Sequence, residues 1–301
     1  MTIDGKGLQM EEKLEKVRKH RLPGVAAILA AAALLLTAGG PGVTTVSSPL
    51  VNAAEPVLYK AAPAASAKNA PAAVSKTKAL PEAEEEDDHI PCPVPESEAV
   101  EDTYFDNAIF LGDSRTQGLF LYSGLKTGYE YTSVGATVES VFTKKNFQVE
   151  GGKKVPILDA MAGQECDKVY IMLGVNELGW SKLKTYHDQY AKLIDRVRED
   201  HPEAKIALQS LPPVSAKQDA KKTYINNARI REYNEVIKTL AQEKDCYFLD
   251  VASCLTEKGV LPVKQTTDGV HFNTAGCKAW LNYLRTHSLE DSGSAAPAAK
   301  T

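Results

Sequence analysis

Two short stretches far apart in the chain hold residue types able to do nucleophilic chemistry. The first is Phe110-Leu-Gly-Asp-Ser-Arg-Thr116, where Ser114 stands at the point an apolar run gives way to a helical stretch. A serine at such a strand-to-helix turn exposes its hydroxyl above the sheet. Its backbone N–H lies at a helix N-terminus, where negative charge is favoured. Gly112 is expected to permit the tight turn. Gly-Asp-Ser is by itself a common turn sequence. Thr116 also occupies the place of the second glycine in G-x-S-x-G, so an α/β-hydrolase elbow is not supported. The second stretch is Asp268-Gly-Val-His271-Phe-Asn273. A serine hydroxyl is a poor nucleophile until an imidazole takes its proton, and the imidazole must be held in one tautomer, commonly by a carboxylate. One loop can hold both Asp268 and His271.

Two further segments offer hydrogen-bond donors. Ser133-Val-Gly-Ala-Thr137 contains Gly135, whose backbone N–H is unobstructed, and Leu173-Gly-Val-Asn-Glu177 contains Asn176 with its side-chain amide. These are the donors an oxyanion hole needs, although a loop glycine or asparagine taken alone is usually a turn former. The remaining histidines suggest less. His187 and Asp188 adjoin on a helical stretch without a third ligand or an HExxH pattern. His20 and His89 fall in basic and low-complexity sequence, His201 precedes Pro202 at a helix end, and His287 lies near the end of the last helix. Gly151-Gly152 stands alone, so neither a phosphate loop nor a dinucleotide fingerprint is expected. No metal and no cofactor is implied.

The elements that must position these residues read as a parallel α/β sheet, because short apolar runs alternate with helical patterns between residues 103 and 289. Strands are expected at 107–111, 129–134, 168–173, 206–210 and 247–251. Leu183, Tyr186, Tyr190, Leu193, Ile194 and Val197 recur at helical spacing, as do Ile230, Tyr233, Val236, Ile237 and Leu240. These stripes are core packing. A last helix is expected from Thr274, with Asn273 as its N-cap. Five strands with crossover helices in this length make a three-layer α/β/α, flavodoxin-like domain the economical solution, with its site at the carboxyl ends of the strands.

In that chain order, Ser114, Gly135, Asn176 and His271 resemble the four signature blocks of the SGNH/GDSL hydrolases. The match includes Gly-Asp-Ser in the first block, Gly-x-Asn in the third and Asp-x-x-His in the last. Ser210-Leu-Pro-Pro213, Tyr233-Asn234 and Asn273-Thr-Ala-Gly276 look like the family's framework. Arg115 and Glu177 depart from the commonest block residues. The resemblance implies Ser114 as nucleophile, His271 as general base and then acid, and Asp268 as the residue orienting the imidazole. The Ser114 and Gly135 N–H groups and the Asn176 side chain would bind the oxyanion.

Outside the domain, Lys13, Lys16, Arg18, Lys19 and Arg21 precede an apolar run at 25–36, the pattern of a signal peptide or signal anchor within residues 1–38. Basic residues on that side would place the remainder outside the cytoplasm. Residues 39–102 are rich in Ala and Pro with an acidic run at 82–88, and read with the tail 290–301 as disordered linker and end. A net charge of -4 with no long basic stripe in the domain argues against nucleic acid as partner. Membrane contact is expected only through the N-terminal segment. The five cysteines form no CxxC pair, and their odd number leaves at least one unpaired within an exported chain. Together these features imply an extracytoplasmic serine esterase acting on an acyl-ester substrate such as an O-acetylated glycan of the cell wall. An O-acyltransferase using the same acyl-enzyme and a non-catalytic wall-binding module are the alternatives.

Overall fold

The computed structural model describes residues 90–289. The expectations for 1–38, for most of 39–102 and for the tail 290–301 therefore lie outside the described residues. The apolar runs form five strands: β1 (Ala108–Gly112), β2 (Tyr129–Thr132), β3 (Lys168–Met172), β4 (Lys205–Gln209) and β5 (Tyr247–Leu249). They pair in the order β2-β1-β3-β4-β5, all parallel. This is the flavodoxin-like order, in which the path reverses between β1 and β3 and opens a crevice at the carboxyl edge. The central strands β1 and β3 are buried throughout, because a parallel sheet is covered by helices on both faces. Phe110 and Tyr170 stack at 4.9 Å across this pair.

Four helices of eight or more residues flank the sheet: α1 (Ser114–Tyr122), α2 (Leu183–Asp200), α3 (Asn227–Glu243) and α4 (Thr274–Arg285). α1 packs with α4, and α2 with α3. Right-handed crossovers running in opposite directions from the switch point put these two pairs on opposite faces. The expected stripes are the buried faces: Tyr186, Tyr190, Leu193, Ile194 and Val197 on α2, and Ile230, Tyr233, Ile237 and Leu240 on α3. Leu183 and Val236 reach only the margin of the core. Asn273 caps α4, its side-chain oxygen accepting from Ala275 N and Gly276 N.

Three details differ from the sequence reading. β2 stops at Thr132 rather than continuing to 134, because the chain turns through Gly135 at a φ of 74°. Gly112 is needed for space rather than for its backbone freedom: a Cβ there would strike Thr116 Oγ1 and come within 3.0 Å of Met172 O. Residues 90–102, read as linker, lie along the domain. Val94 is buried and donates its N–H to Phe248 O at 2.9 Å, covering the outer edge of β5. Ser97 N and Val100 N donate to Thr286 O and Arg285 O, and Asp102 accepts from Arg285 Nε and Nη2 at 3.0 and 2.6 Å. A small antiparallel hairpin (Phe147–Gln148 with Lys154–Val155) turns at Gly151 and Gly152. All five cysteines are free. Among the described residues no helix is long and apolar enough to cross a membrane.

Gly112→Ala should lower the unfolding free energy by about 1–3 kcal/mol, the usual cost of overpacking, read as a lower urea midpoint at unchanged slope. An unchanged midpoint would mean Thr116 rotates away freely.

Candidate active site

β1 delivers the chain to Asp113, which leaves the helical conformation (φ -103°, ψ -156°) and caps α1 by accepting from Arg115 N at 2.8 Å. Ser114 is therefore the first residue of α1, and its N–H meets no protein acceptor among the described residues. The Ser114 Oγ lies 3.0 Å from His271 Nε2, although 157 residues separate them. His271 Nδ1 lies 2.7 Å from Asp268 Oδ2. Asp268 Oδ1 accepts from Val270 N and His271 N, both at 2.8 Å, so one carboxylate closes the loop and orients the ring. Burial pushes the Asp268 carboxyl up, but the hydrogen bonds from the His271 ring, His271 N and Val270 N outweigh it and hold it well below the usual carboxylate range.

The loop's shape has identifiable causes. Gly269 adopts a φ of 94°, and a Cβ on it would strike Ser215 Oγ, while its carbonyl accepts from Ser215 N at 2.9 Å. Thr266 Oγ1 donates to His271 O at 2.6 Å and accepts from Gly269 N at 2.9 Å. Asn273 Nδ2 donates to Lys264 O at 2.9 Å, so the residue that caps α4 also fixes the loop leading to His271.

Gly135 and Asn176 come to the same edge. Gly135 is exposed, and its N–H likewise has no protein acceptor among the described residues. Asn176, on the turn after β3, donates its amide to Ala136 O at 2.9 Å and to Asp113 Oδ2 at 3.2 Å. Ser114, His271 and Asp268 are thus joined directly, and Asn176 bonds to Asp113 beside Ser114 and to Ala136 beside Gly135. The Asn176 amide is engaged within the protein, so donating to a ligand means exchanging or sharing the longer bond to Asp113.

Two residues that the sequence marked only as departures prove to be structural parts of the site. Arg115 is buried, donates from Nη1 to Pro212 O at 3.0 Å, and lies 5.2 Å over the Phe272 ring. Burial lowers its guanidinium to about 10, with Asp113 and Asp268 opposing the shift. Glu177 is fully buried and accepts from Val138 N at 2.7 Å. The signal available in the sequence was a charge directly after each of two site residues, Ser114 and Asn176. Asn234, noted only as framework, brackets the loop after β4 by accepting from Leu211 N (2.7 Å) and donating to Leu211 O (2.9 Å). Among the described residues, His187 bridges to Glu243 at 2.8 Å and His287 stacks on Tyr283 at 3.7 Å. Among the described residues no cluster of three His, Cys, Asp or Glu forms a metal site.

Residues 110–279, more than half of the chain, match the model of the GDSL-like Lipase/Acylhydrolase family. The chain belongs to this family. It is accordingly an enzyme, a hydrolase acting on ester bonds. No curated protein sequence matches it. Solved structures similar to this GDSL-like hydrolase include a GDSL-like lipase from Bacteroides thetaiotaomicron (16% identity, 62% of this chain and 86% of that one, TM-score 0.44). Others are a lipase/acylhydrolase from Enterococcus faecalis (17%, 58% and 92%, TM-score 0.41) and the periplasmic domain of a lipopolysaccharide acetyltransferase from Salmonella ser. Paratyphi A (15%, 59% and 82%, TM-score 0.43).

A hydroxyl hydrogen-bonded to an imidazole that is itself oriented by a carboxylate can be deprotonated as it attacks. A fluorophosphonate should therefore label this GDSL-like domain at Ser114, located by peptide mass spectrometry. His271→Ala should slow labelling at least about 10²-fold. Label on another residue would remove Ser114 from the chemistry.

Proposed function

We propose that the protein is a serine esterase that removes small acyl groups, acetyl foremost, from a carbohydrate or cell-wall polymer outside the cytoplasm. Ser114 is the nucleophile, His271 the general base and then acid, and Asp268 the orienting carboxylate. The Ser114 and Gly135 N–H groups and the Asn176 amide stabilise the oxyanion. The observation that carries this reading is the continuous chain from Ser114 Oγ to His271 Nε2 (3.0 Å) and from His271 Nδ1 to Asp268 Oδ2 (2.7 Å).

The steps follow from that chain. His271 takes the Ser114 proton as Oγ attacks the ester carbonyl, and the carbonyl oxygen gains the electron pair beside the oxyanion donors. The imidazolium, held against Asp268, then protonates the leaving alcohol. Water, deprotonated by His271, releases the acid from the acyl-enzyme. Openness supports a bulky carrier with a small acyl group: the His271 and Asp268 side chains are 45% and 53% exposed. Tyr224, 58% exposed, rests against Gly179, three residues beyond Asn176, where its ring suits the apolar face of a sugar. Solvent access at His271 also favours water over a sugar hydroxyl as acceptor, so free acid is the expected product even with acceptor sugars present. The basic and apolar N-terminal segment supports an extracytoplasmic place of action.

Hydrolysis of p-nitrophenyl acetate is the first test. Ser114→Ala should lower kcat at least about 10³-fold, and Asn176→Ala on the order of 10²–10³-fold, the loss typical of one oxyanion donor. Wild-type turnover in Ser114→Ala would overturn the mechanism. Tyr224→Ala should raise KM roughly 10-fold for acetylated glycans while leaving p-nitrophenyl acetate unaffected. Equal effects on both substrates would remove Tyr224 from carrier recognition.

A further inference from the structure

Glu177 directly follows Asn176, and it is fully buried where a loop carboxylate is ordinarily solvated. Its Oε1 accepts from Val138 N at 2.7 Å, and its Oε2 is buried without a protein partner. Val138 lies three residues beyond Gly135, on the segment that leaves β2. Two ties therefore fasten that segment to the turn after β3: Asn176 Nδ2 to Ala136 O at 2.9 Å, and Glu177 Oε1 to Val138 N. The turn is itself anchored, since Glu177 N donates to Gly174 O at 3.1 Å and the Tyr233 hydroxyl donates to Glu177 O.

We propose that Glu177 is a positioning residue that sets the direction of the Gly135 N–H and the Asn176 amide by holding Val138. This rests on the oxyanion-site reading above. Oε1 is the acceptor from Val138, which leaves Oε2 to carry the proton in the neutral form. The groups facing Glu177 are Asp113 from the turn between β1 and α1, Tyr186 and Tyr190 from α2, and Tyr233 from α3. Arg229 is turned to the Leu178 and Trp180 carbonyls and to the Tyr233 ring. Burial pushes the Glu177 carboxyl up to about 8, with Asp113 adding to it and the backbone N–H groups of Val138, Glu177 and Asn176 opposing it. Ionisation sets a second buried negative charge beside Asp113, to which the Asn176 amide is bonded, just where negative charge develops during acyl transfer. The folded value lies above the ordinary one, so the stability carried by this proton is fully present below the ordinary carboxyl range. It is lost as pH rises through about 8.

The test is kcat and KM of the full chain on p-nitrophenyl acetate from about pH 6 to about pH 10, for wild type, Glu177→Ala and Glu177→Gln. Near neutral pH, Glu177→Ala should lower kcat roughly 10–100-fold with KM changed less than about 3-fold. Glu177→Gln keeps an acceptor for Val138 N and cannot ionise, so it should restore most of that loss. Wild-type kcat should fall as pH rises through about 8, and Glu177→Gln should lack the fall. Wild-type kcat in Glu177→Ala, or the same alkaline fall in Glu177→Gln, would overturn the proposal. Where Glu177→Ala does not fold, as judged by circular dichroism, the Glu177→Gln profile decides alone. Turnover surviving Ser114→Ala would sink the parent reading instead, so the two failures are distinguishable.

Discussion

The pairing of α1 with α4 on one face of the sheet is the constraint on which the site depends. Ser114 opens α1, and His271 lies three residues ahead of α4, so the relative position of the two helix N-termini fixes the 3.0 Å contact between them. Gly118 and Cys277 meet where the helices touch: a Cβ on Gly118 would lie 3.9 Å from Cys277 Sγ. Trp280, fully buried on α4, donates its ring N–H to Gln209 Oε1 at 2.8 Å and so locks that helix to the end of β4. Helix packing at interior density permits little sliding, and the contact between two side chains 157 residues apart inherits that rigidity.

Second to this is the placing of charge. Asp113 is buried, with burial raising its carboxyl and Arg115 opposing that shift. Arg115 in turn spans from the Pro212 carbonyl to the Phe272 ring, next to the histidine. Buried charges are tolerable only where partners compensate them. Here the compensation links β1, the loop after β4 and the loop before α4. The ions beneath the site therefore also tie the segment that carries Ser114 to the loop after β4 and to the loop that carries His271.

The regular parts of this arrangement were legible from residue patterns because they follow from periodicity. All five strands, the two long amphipathic helices and the Asn273 cap stand within a few residues of expectation. Ser114, Asp268 and His271 stood out because a serine at the end of the first strand and a D-x-x-H loop before the last helix fill places that the family resemblance marks. What escaped was whatever depends on contacts distant in sequence. Arg115 and Glu177 look like solvated loop charges until the fold covers them. Gly112 looked like a flexible turn residue, yet its role is to leave room for Thr116 and Met172. Val94 and Val100 are isolated apolar residues in a Pro-rich stretch, and averaging over that stretch hides that they dock.

That docked stretch also joins the two limits of the domain. Val94 runs beside the outer strand β5, and Leu289, near the other limit of the domain, accepts from Lys205 at the start of β4. Leu289 is thus bonded to the first residue of β4, at the opposite end of that strand from the carboxyl edge. Ser97 and Val100 bond to the carbonyls of Thr286 and Arg285, and Asp102 to the Arg285 guanidinium, so the two limits of the domain clasp each other and neither can fray without releasing its counterpart.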